Sequence, residues 1–320
     1  MKTRFILNPR SGRSRRFAGL PGAIRAFIAE RRLDASLVLS ERPGHATELA
    51  RDALADGCER VVAVGGDGTM NEAAQALVDT PAALALVPCG SGNGLALHLG
   101  VPIRPRRALA LLADPAARVA VIDSGTANGH PFFNVMGLGF DAEISRRFNA
   151  LPRRGPAAYA RAGLAAFRDH RPQQVTVSAD GGPAAVLDAF IVAVANSDQY
   201  GNRARLAPGA SVTDGQLDLV AVHPAGFWAA LPLLARLFLG SFDRSPRVVH
   251  LRSPRFTIRR RTSGLIHTDG ETHETDAAVE VAVRPRSLRL VVPAGCPAAS
   301  APDPAGPVPP WTRTDSMSVR

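Results

Sequence analysis

The sequence predicts an α/β unit built on a parallel sheet, followed by a largely antiparallel β unit. Three observations lead there. Up to about Asp123, short β-branched runs alternate with stretches whose apolar residues recur at helical spacing. Twice in that region a buried-strand pattern runs into a glycine-rich turn and then a helix, over residues 61–77 and again from Ala83 onward. Beyond Asp123 the pattern becomes a succession of strands broken by only two helical stretches.

Taken in order, Arg4–Leu7 is a first strand, and Ala18–Arg32 a helix with Leu20, Ile24, Phe27 and Ile28 on one face. Ser36–Leu39 is a second strand, Ala46–Leu54 a second helix and Arg60–Val64 a third strand. A helix is expected from Met70, with Thr69 as its N-cap. Ala83–Val87, Pro105–Leu112 and Val119–Ile122 add a strand, a helix and a strand. Such βαβα order predicts a sheet covered by helices on both faces, three layers in all. In the second unit, Phe132–Val135, Gln174–Ala179, Asp188–Val194, Leu217–Val222, Val248–Leu251, Arg255–Ile258, Val279–Val283 and Leu288–Val292 read as strands. The interrupting helices fall near Ala157–His170 and Gly226–Leu239. The second of these reads as a core helix, because Phe227, Leu231, Leu234 and Phe238 recur near helical spacing; lining an acyl-chain pocket or resting on a membrane are its alternatives. The expected division is therefore 1–125, 126–292 and a proline-rich tail, 293–320, expected to be disordered apart from Trp311.

Bulk properties narrow the class. A chain of 320 residues with 46% hydrophobic content can bury two cores. Its net charge of +10 suggests nucleic acid, but Lys2 is the only lysine among 38 basic residues. That points to compositional bias rather than a basic face built for phosphate backbones. Clusters such as Arg13, Arg15, Arg16, then Arg146, Arg147, Arg153, Arg154, and Arg259–Arg261 read as solvated surface, with nucleotide phosphate or an anionic membrane as the alternative. No aromatic residues interleave them, so single-strand binding is disfavoured and no nucleic-acid partner is expected. Cys58, Cys89 and Cys296 have no metal or redox spacing, which suggests a reducing, cytoplasmic setting. No apolar run is long enough to span a bilayer.

Four constellations at strand ends carry chemistry. Asn8-Pro9-Arg10-Ser11-Gly12 follows the first strand and is either a plain turn or a phosphate loop. Gly65-Gly66-Asp67-Gly68-Thr69-Met70-Asn71-Glu72 is a strand, glycine turn and helix start, the arrangement that points backbone N–H groups at an anion. It is not a Walker A loop, having no Gly-Lys-Ser/Thr. A carboxylate in such a cradle repels phosphate unless a cation or a transferable proton lies between them. Pro88-Cys89-Gly90-Ser91-Gly92-Asn93-Gly94 repeats the design, with Cys89 read as a buried bystander. His267-Thr268-Asp269-Gly270-Glu271 places two carboxylates around a glycine turn, either a hairpin or a general-base site.

Together these motifs resemble the diacylglycerol-kinase catalytic family, which includes bacterial lipid kinases and sphingosine kinases. Phe133–Ala142, Asn196–Gly201, Pro208 and Thr213–Asp218 match its later segments in order. The resemblance implies an N-terminal α/β/α nucleotide-binding domain and a C-terminal antiparallel β-sandwich, with the active site in the cleft between them. It implies ATP on Asn8, Pro9, Arg10, Ser11, Gly12, Ser40, Gly65 to Glu72 and Ser91. Glu271 would be the proton acceptor with Asp269 beside it, and Asp67 would organise Mg2+ and the phosphates. Asp123 would join that network, and a structural Mg2+ would sit on carbonyls of Ser211, Asp214 and Gln216. Many of these lipid kinases have Asp where this chain has Gly94, so its third motif is closer to the sphingosine-kinase-like branch. The implied activity is phosphorylation of a lipid hydroxyl, diacylglycerol-like or sphingoid-like, at the inner membrane face through reversible, peripheral contact. A homodimer is among the assemblies left open. Two rivals are a kinase of a soluble alcohol or nucleotide, like the NAD kinases that share the Gly-Gly-Asp-Gly-Thr turn, and a lipid or nucleotide sensor without turnover.

Overall fold

The computed structural model describes residues 1–11, 19–149 and 172–300. Gly12, the arginines at 13–16 and 153–154, the helix expected near Ala157–His170 and the tail beyond 300 with Trp311 lie outside the described residues.

The first unit runs β1 (Thr3–Leu7), α1 (Leu20–Glu30), β2 (Ala35–Leu39), α2 (His45–Ala55), β3 (Arg60–Gly65), α3 (Asp67–Leu77), β4 (Ala83–Pro88), α4 (Gly94–His98), α5 (Pro105–Leu111) and β5 (Arg118–Ala127). The strands β2-β1-β3-β4 are parallel and in that order. Side-chain alternation splits each strand between two cores. Ile6, Val61 and Ala63 face α2 and α3, whereas Phe5, Leu7, Val62 and Val64 face α1 and α5. The expected three layers are formed.

The second unit continues with β6 (His130–Phe132), β7 (Val135–Gly139), α6 (Phe140–Asn149), β8 (Gln173–Ala179), β9 (Ala184–Ala189), β10 (Ile191–Ala195), β11 (Gln199–Gly201) and β12 (Ala204–Arg205). It ends with β13 (Leu217–Val222), α7 (Phe227–Leu239), β14 (Val248–Ser253), β15 (Arg255–Arg260), β16 (Gly264–Thr268), β17 (Glu271–Thr275) and β18 (Ala278–Val292). One antiparallel sheet, β14-β13-β10-β7-β16-β17, packs on β15, β8 and the first half of β18. Phe132, Met136, Leu138, Val177, Leu219 and Phe256 belong to the core between these layers.

Several expectations change. Val279–Val283 and Leu288–Val292 are one strand with a bulge, not two: β18 pairs with β15 at its start, then enters the first sheet between β4 and β5. Residue 125, the expected boundary, falls inside β5, which pairs with β18 on both sides of it. The strand expected at Phe132–Val135 is broken at Phe133 and Asn134, whose N–H groups bond to a side chain instead of a neighbouring strand. Helix α3 starts at Asp67 with Gly66 as N-cap, so Thr69 is in its first turn and not the cap. The start of the expected tail is structured: Pro297–Ser300 form a short helical turn, and buried Cys296 and Ala298 join the core of the first unit. Helix α7 is the largest correction. Leu231, Leu234 and Phe238 face outward, and Leu233 and Leu237 make the packed seam. A helix apolar all round offers two stripes, and spacing alone does not say which one the sheet takes.

Candidate active site

Parallel α/β sheets bind ligands at the carboxyl ends of their strands. Here Asn8, Ser40, Gly65–Gly66 and Pro88–Gly90 all lie at that rim, following β1, β2, β3 and β4. The two glycine turns meet backbone to backbone. A Cβ on Gly90 would lie 2.7 Å from the Cα of Gly66, and one on Gly92 would lie 2.6 Å from Asp67 Oδ2. The first loop is tied to them: Asn8 Nδ2 donates to Thr69 Oγ1 (3.1 Å), and Gly66 N donates to Ser11 Oγ (3.3 Å). Asn8 Oδ1 accepts from Arg10 N at 2.9 Å, closing the loop on itself. At the start of α3, the N–H groups of Asp67, Gly68 and Thr69 precede the first intrahelical bond, Met70 N to Gly66 O (3.1 Å), and Asp67 N lies beside Gly90.

Asp67 does not cap its own helix. Its Oδ2 accepts from Asn93 N (2.8 Å) and its Oδ1 from Gly94 N (2.9 Å). Asn93, at φ 52°, bonds both faces of the Gly90 backbone with its amide and so fixes the loop that supplies those donors. Gly94 is required by a neighbour: a Cβ there would run into the Asn134 amide. Asn134 thus fills space that an Asp at 94 would need.

From Asn134 the contacts lead to the hairpin between β16 and β17. Asp269 and Gly270 have φ of 50° and 88°, the pair of positive values a two-residue type I′ turn requires. The Asp269 carboxylate accepts three backbone N–H groups: Phe133 on Oδ2 (2.7 Å), and Asn134 (3.0 Å) and Val135 (2.8 Å) on Oδ1. Burial pushes its pKa up to about 6 against the pull of those donors, and the charge of Asp67 across the cleft adds to the rise. The hairpin reading of this motif is therefore realised, and its first carboxylate lies within reach of the Asp67 charge. Glu271 opens β17 as an exposed residue, and its carboxylate has no partner among the described residues.

Sequence reasoning did not assign roles to the groups that hold this hairpin. His267 Nδ1 accepts from Gly270 N (3.2 Å), which leaves the ring proton on Nε2, 2.8 Å from Asp141 Oδ2. Tyr200 OH donates to the other oxygen of Asp141. His267 and Asp141 are both buried, so burial beside an acid was the missing signal.

The other expected site residues have varied surroundings. Glu72 Oε2 accepts from Ala46 N (3.0 Å), serving the start of α2. Met70 packs in the core, Asn71 is buried, and Ser91 is exposed. Ser40 is buried, its N–H donating to Leu7 O at 2.9 Å. Asp123 is buried, with both oxygens occupied by Gly215 N (2.8 Å) and Arg286 N (2.7 Å). Burial raises its pKa, and the two bonds tie it to the 211–216 loop and to the bulge of β18 at Arg286. Ser211, Asp214 and Gln216 form a separate group on that loop, and Asp214, raised chiefly by burial, stands 3.6 Å from Arg252. Among the described residues no three His, Cys, Asp or Glu side chains cluster closely enough to hold a metal alone.

Two glycine loops at a sheet rim, facing an acidic hairpin from a β-sandwich, are the parts of a phosphotransferase, and the comparisons agree. Residues 2–124 match the diacylglycerol kinase catalytic domain, and residues 134–292 match the YegS C-terminal NAD kinase beta sandwich-like domain. The chain belongs to the diacylglycerol kinase catalytic family of lipid kinases, with the YegS-type C-terminal domain. It is 32% identical over 283 residues to a Pseudomonas fluorescens protein named "Probable lipid kinase YegS-like", covering 86% of this chain and 92% of that one. A Mycobacterium tuberculosis diacylglycerol kinase is 27% identical over 300 residues, covering 91% and 95%. A crystal structure of a diacylglycerol kinase from Bacillus anthracis superposes with a TM-score of 0.68 at 19% identity, over 93% of this chain and 98% of that one. At that identity the likeness is one of fold.

Proposed function

We propose that this chain transfers the γ-phosphate of ATP to a hydroxyl of a lipid, at a membrane surface it contacts reversibly. The observation that carries the reading is the opposition of Asp67, fixed by the Asn93 and Gly94 N–H groups, to the Asp269–Gly270–Glu271 hairpin.

The two hairpin acids suit different tasks. Asp269 has its oxygens committed to three N–H groups, so it sets the position of the turn. Glu271 is exposed and has no partner among the described residues, so it can take the proton of an incoming hydroxyl as the bond to phosphorus forms. The first-turn N–H groups of α3 and the Gly90–Gly94 loop would hold phosphate oxygens. Mg2+ is commonly held by one or two carboxylates plus the substrate's phosphates, and Asp67, whose oxygens each accept one N–H and keep a further lone pair, fits that pattern. When bound, Mg2+ would offset the charge on the transferring group. The carbonyls of Ser211, Asp214 and Gln216 are hard oxygen donors of the kind a second, structural Mg2+ takes. The relatives' names favour a lipid acceptor over a soluble one.

Labelled γ-phosphate transfer to vesicles carrying diacylglycerol, monoacylglycerol, ceramide, sphingosine or phosphatidylglycerol, with NAD as the soluble comparator, tests this. A labelled lipid is expected. Label on NAD alone, or on nothing, would overturn the lipid reading.

A further inference from the structure

Among the described side chains of helix α7 seven are exposed, and every one is apolar: Leu231, Pro232, Leu234, Ala235, Phe238 and Leu239, with Trp228 near the helix start. Trp228 is 80% exposed, Leu239 79%, Leu234 54%, Phe238 53% and Leu231 45%. They lie together on one side of the helix, opposite Leu233 and Leu237, which pack on the sandwich and hold the helix in place. A solvent-facing stripe normally carries charge, and this one carries none.

Arginines stand at both ends. Arg247 donates to Pro224 O just before the helix (3.4 Å) and is exposed. Arg205 lies against Gly240 just after it and is also exposed. Arg244, in the short turn packed on α7, is exposed, and Arg203 shares the hairpin of Arg205. Of the acids nearby, Asp198 is bonded to His98 (2.6 Å) and faces Arg205, and Asp243 has an oxygen enclosed. An apolar stripe between cations is complementary to an anionic lipid surface, with tails below and phosphates at the rim. The helix has 13 residues, well short of the roughly 20 needed to span a bilayer, so it suits lying in the interface. Trp near one end fits the headgroup level.

The helix is also one element from the cleft. The β11–β12 hairpin reaches the third motif through Asn202 N donating to Gly92 O (3.0 Å), and at its other end carries Arg205 against α7.

We propose that α7 is the membrane-docking element: its outward face inserts into the interfacial layer of an anionic bilayer and sets the cleft beside the lipid surface. The assignment rests on the lipid-kinase reading for its purpose, but it has its own test. The full chain with Trp311→Phe, so that Trp228 is the one remaining tryptophan, is mixed with vesicles of phosphatidylcholine alone or with equal parts of phosphatidylglycerol. Trp228 emission should shift to the blue and the protein should co-sediment, more strongly with phosphatidylglycerol. Leu231→Glu with Leu239→Glu should weaken co-sedimentation about tenfold or more. The same pair should leave transfer to a short-chain, monomeric acceptor unchanged while lowering transfer to vesicle-borne acceptor. Vesicle binding that is unaltered by the pair overturns the proposal. So does conversion of a dimer to a monomer by the pair without change in vesicle binding, which would make the face a contact between copies. Docking through α7 with no transfer to any lipid would leave the proposal standing and remove the kinase reading, and the converse result would do the reverse.

Discussion

Replacing each acid of the hairpin separates position from chemistry. Glu271→Ala removes an exposed side chain, so stability should change by less than about 0.5 kcal/mol. Transfer should fall by about 10²–10⁴-fold if Glu271 accepts the hydroxyl proton, read from labelled product at saturating ATP. Asp269→Asn should act on folding. The native carboxyl titrates at about 6, above its value near 3.9 in an unfolded chain. The protonated group therefore favours the native state below about pH 4, and that contribution is lost as pH rises through about 6. His273, whose pKa burial lowers to about 4, contributes the opposite slope in this window, so the check is a difference: by urea unfolding, the stability of Asp269→Asn relative to the parent should rise as pH increases from about 4 to 6. Such behaviour was only half legible beforehand. The Asp-Gly pair announces a hairpin, but three N–H groups from residues 133–135 are supplied by a distant stretch that reads as continuous strand. Gly94 likewise looks like a lost acid, and its reason is a contact with Asn134 forty residues on.

At the level of elements, the rim loops were readable because strand, glycine turn and helix start are contiguous in sequence. The support beneath the hairpin was not, because Asp141, Tyr200 and His267 come from a helix and two strands of different sheets. His267→Phe breaks the bond to Gly270 and leaves Asp141 with one fewer donor. We expect a loss of about 1–3 kcal/mol in unfolding free energy. Turnover should drop with little change in KM for ATP, since the nucleotide loops are on the opposite side of the cleft. A parallel loss of ATP affinity would show that the hairpin does more than present Glu271. Helix α7 illustrates the remaining limit: its composition was plain, but which stripe is buried depends on the packing of β12, β13 and β14 beside it.

For the whole molecule, β18 decides how far the two units are separate. Its first half is in the sandwich, and its second half lies between β4 and β5. A fragment of residues 1–125 should therefore fail to form a stable sheet, having lost the strand that joins β4 to β5. Circular dichroism and thermal melting of the fragment check this; a cooperative melt near that of the full chain would refute it. The full chain should unfold in a single transition by both fluorescence and circular dichroism. The sequence showed both apolar runs of β18 but not their continuity, because the bulge at Arg286, with φ 54°, breaks the alternation between them. The order of synthesis gives this topology a further consequence. Residues 288–292 leave the ribosome after almost everything else described here, so the first half of the chain waits through most of translation with the edges of β4 and β5 open. Whatever shields nascent chains in the cell must cover those edges until the final strand arrives.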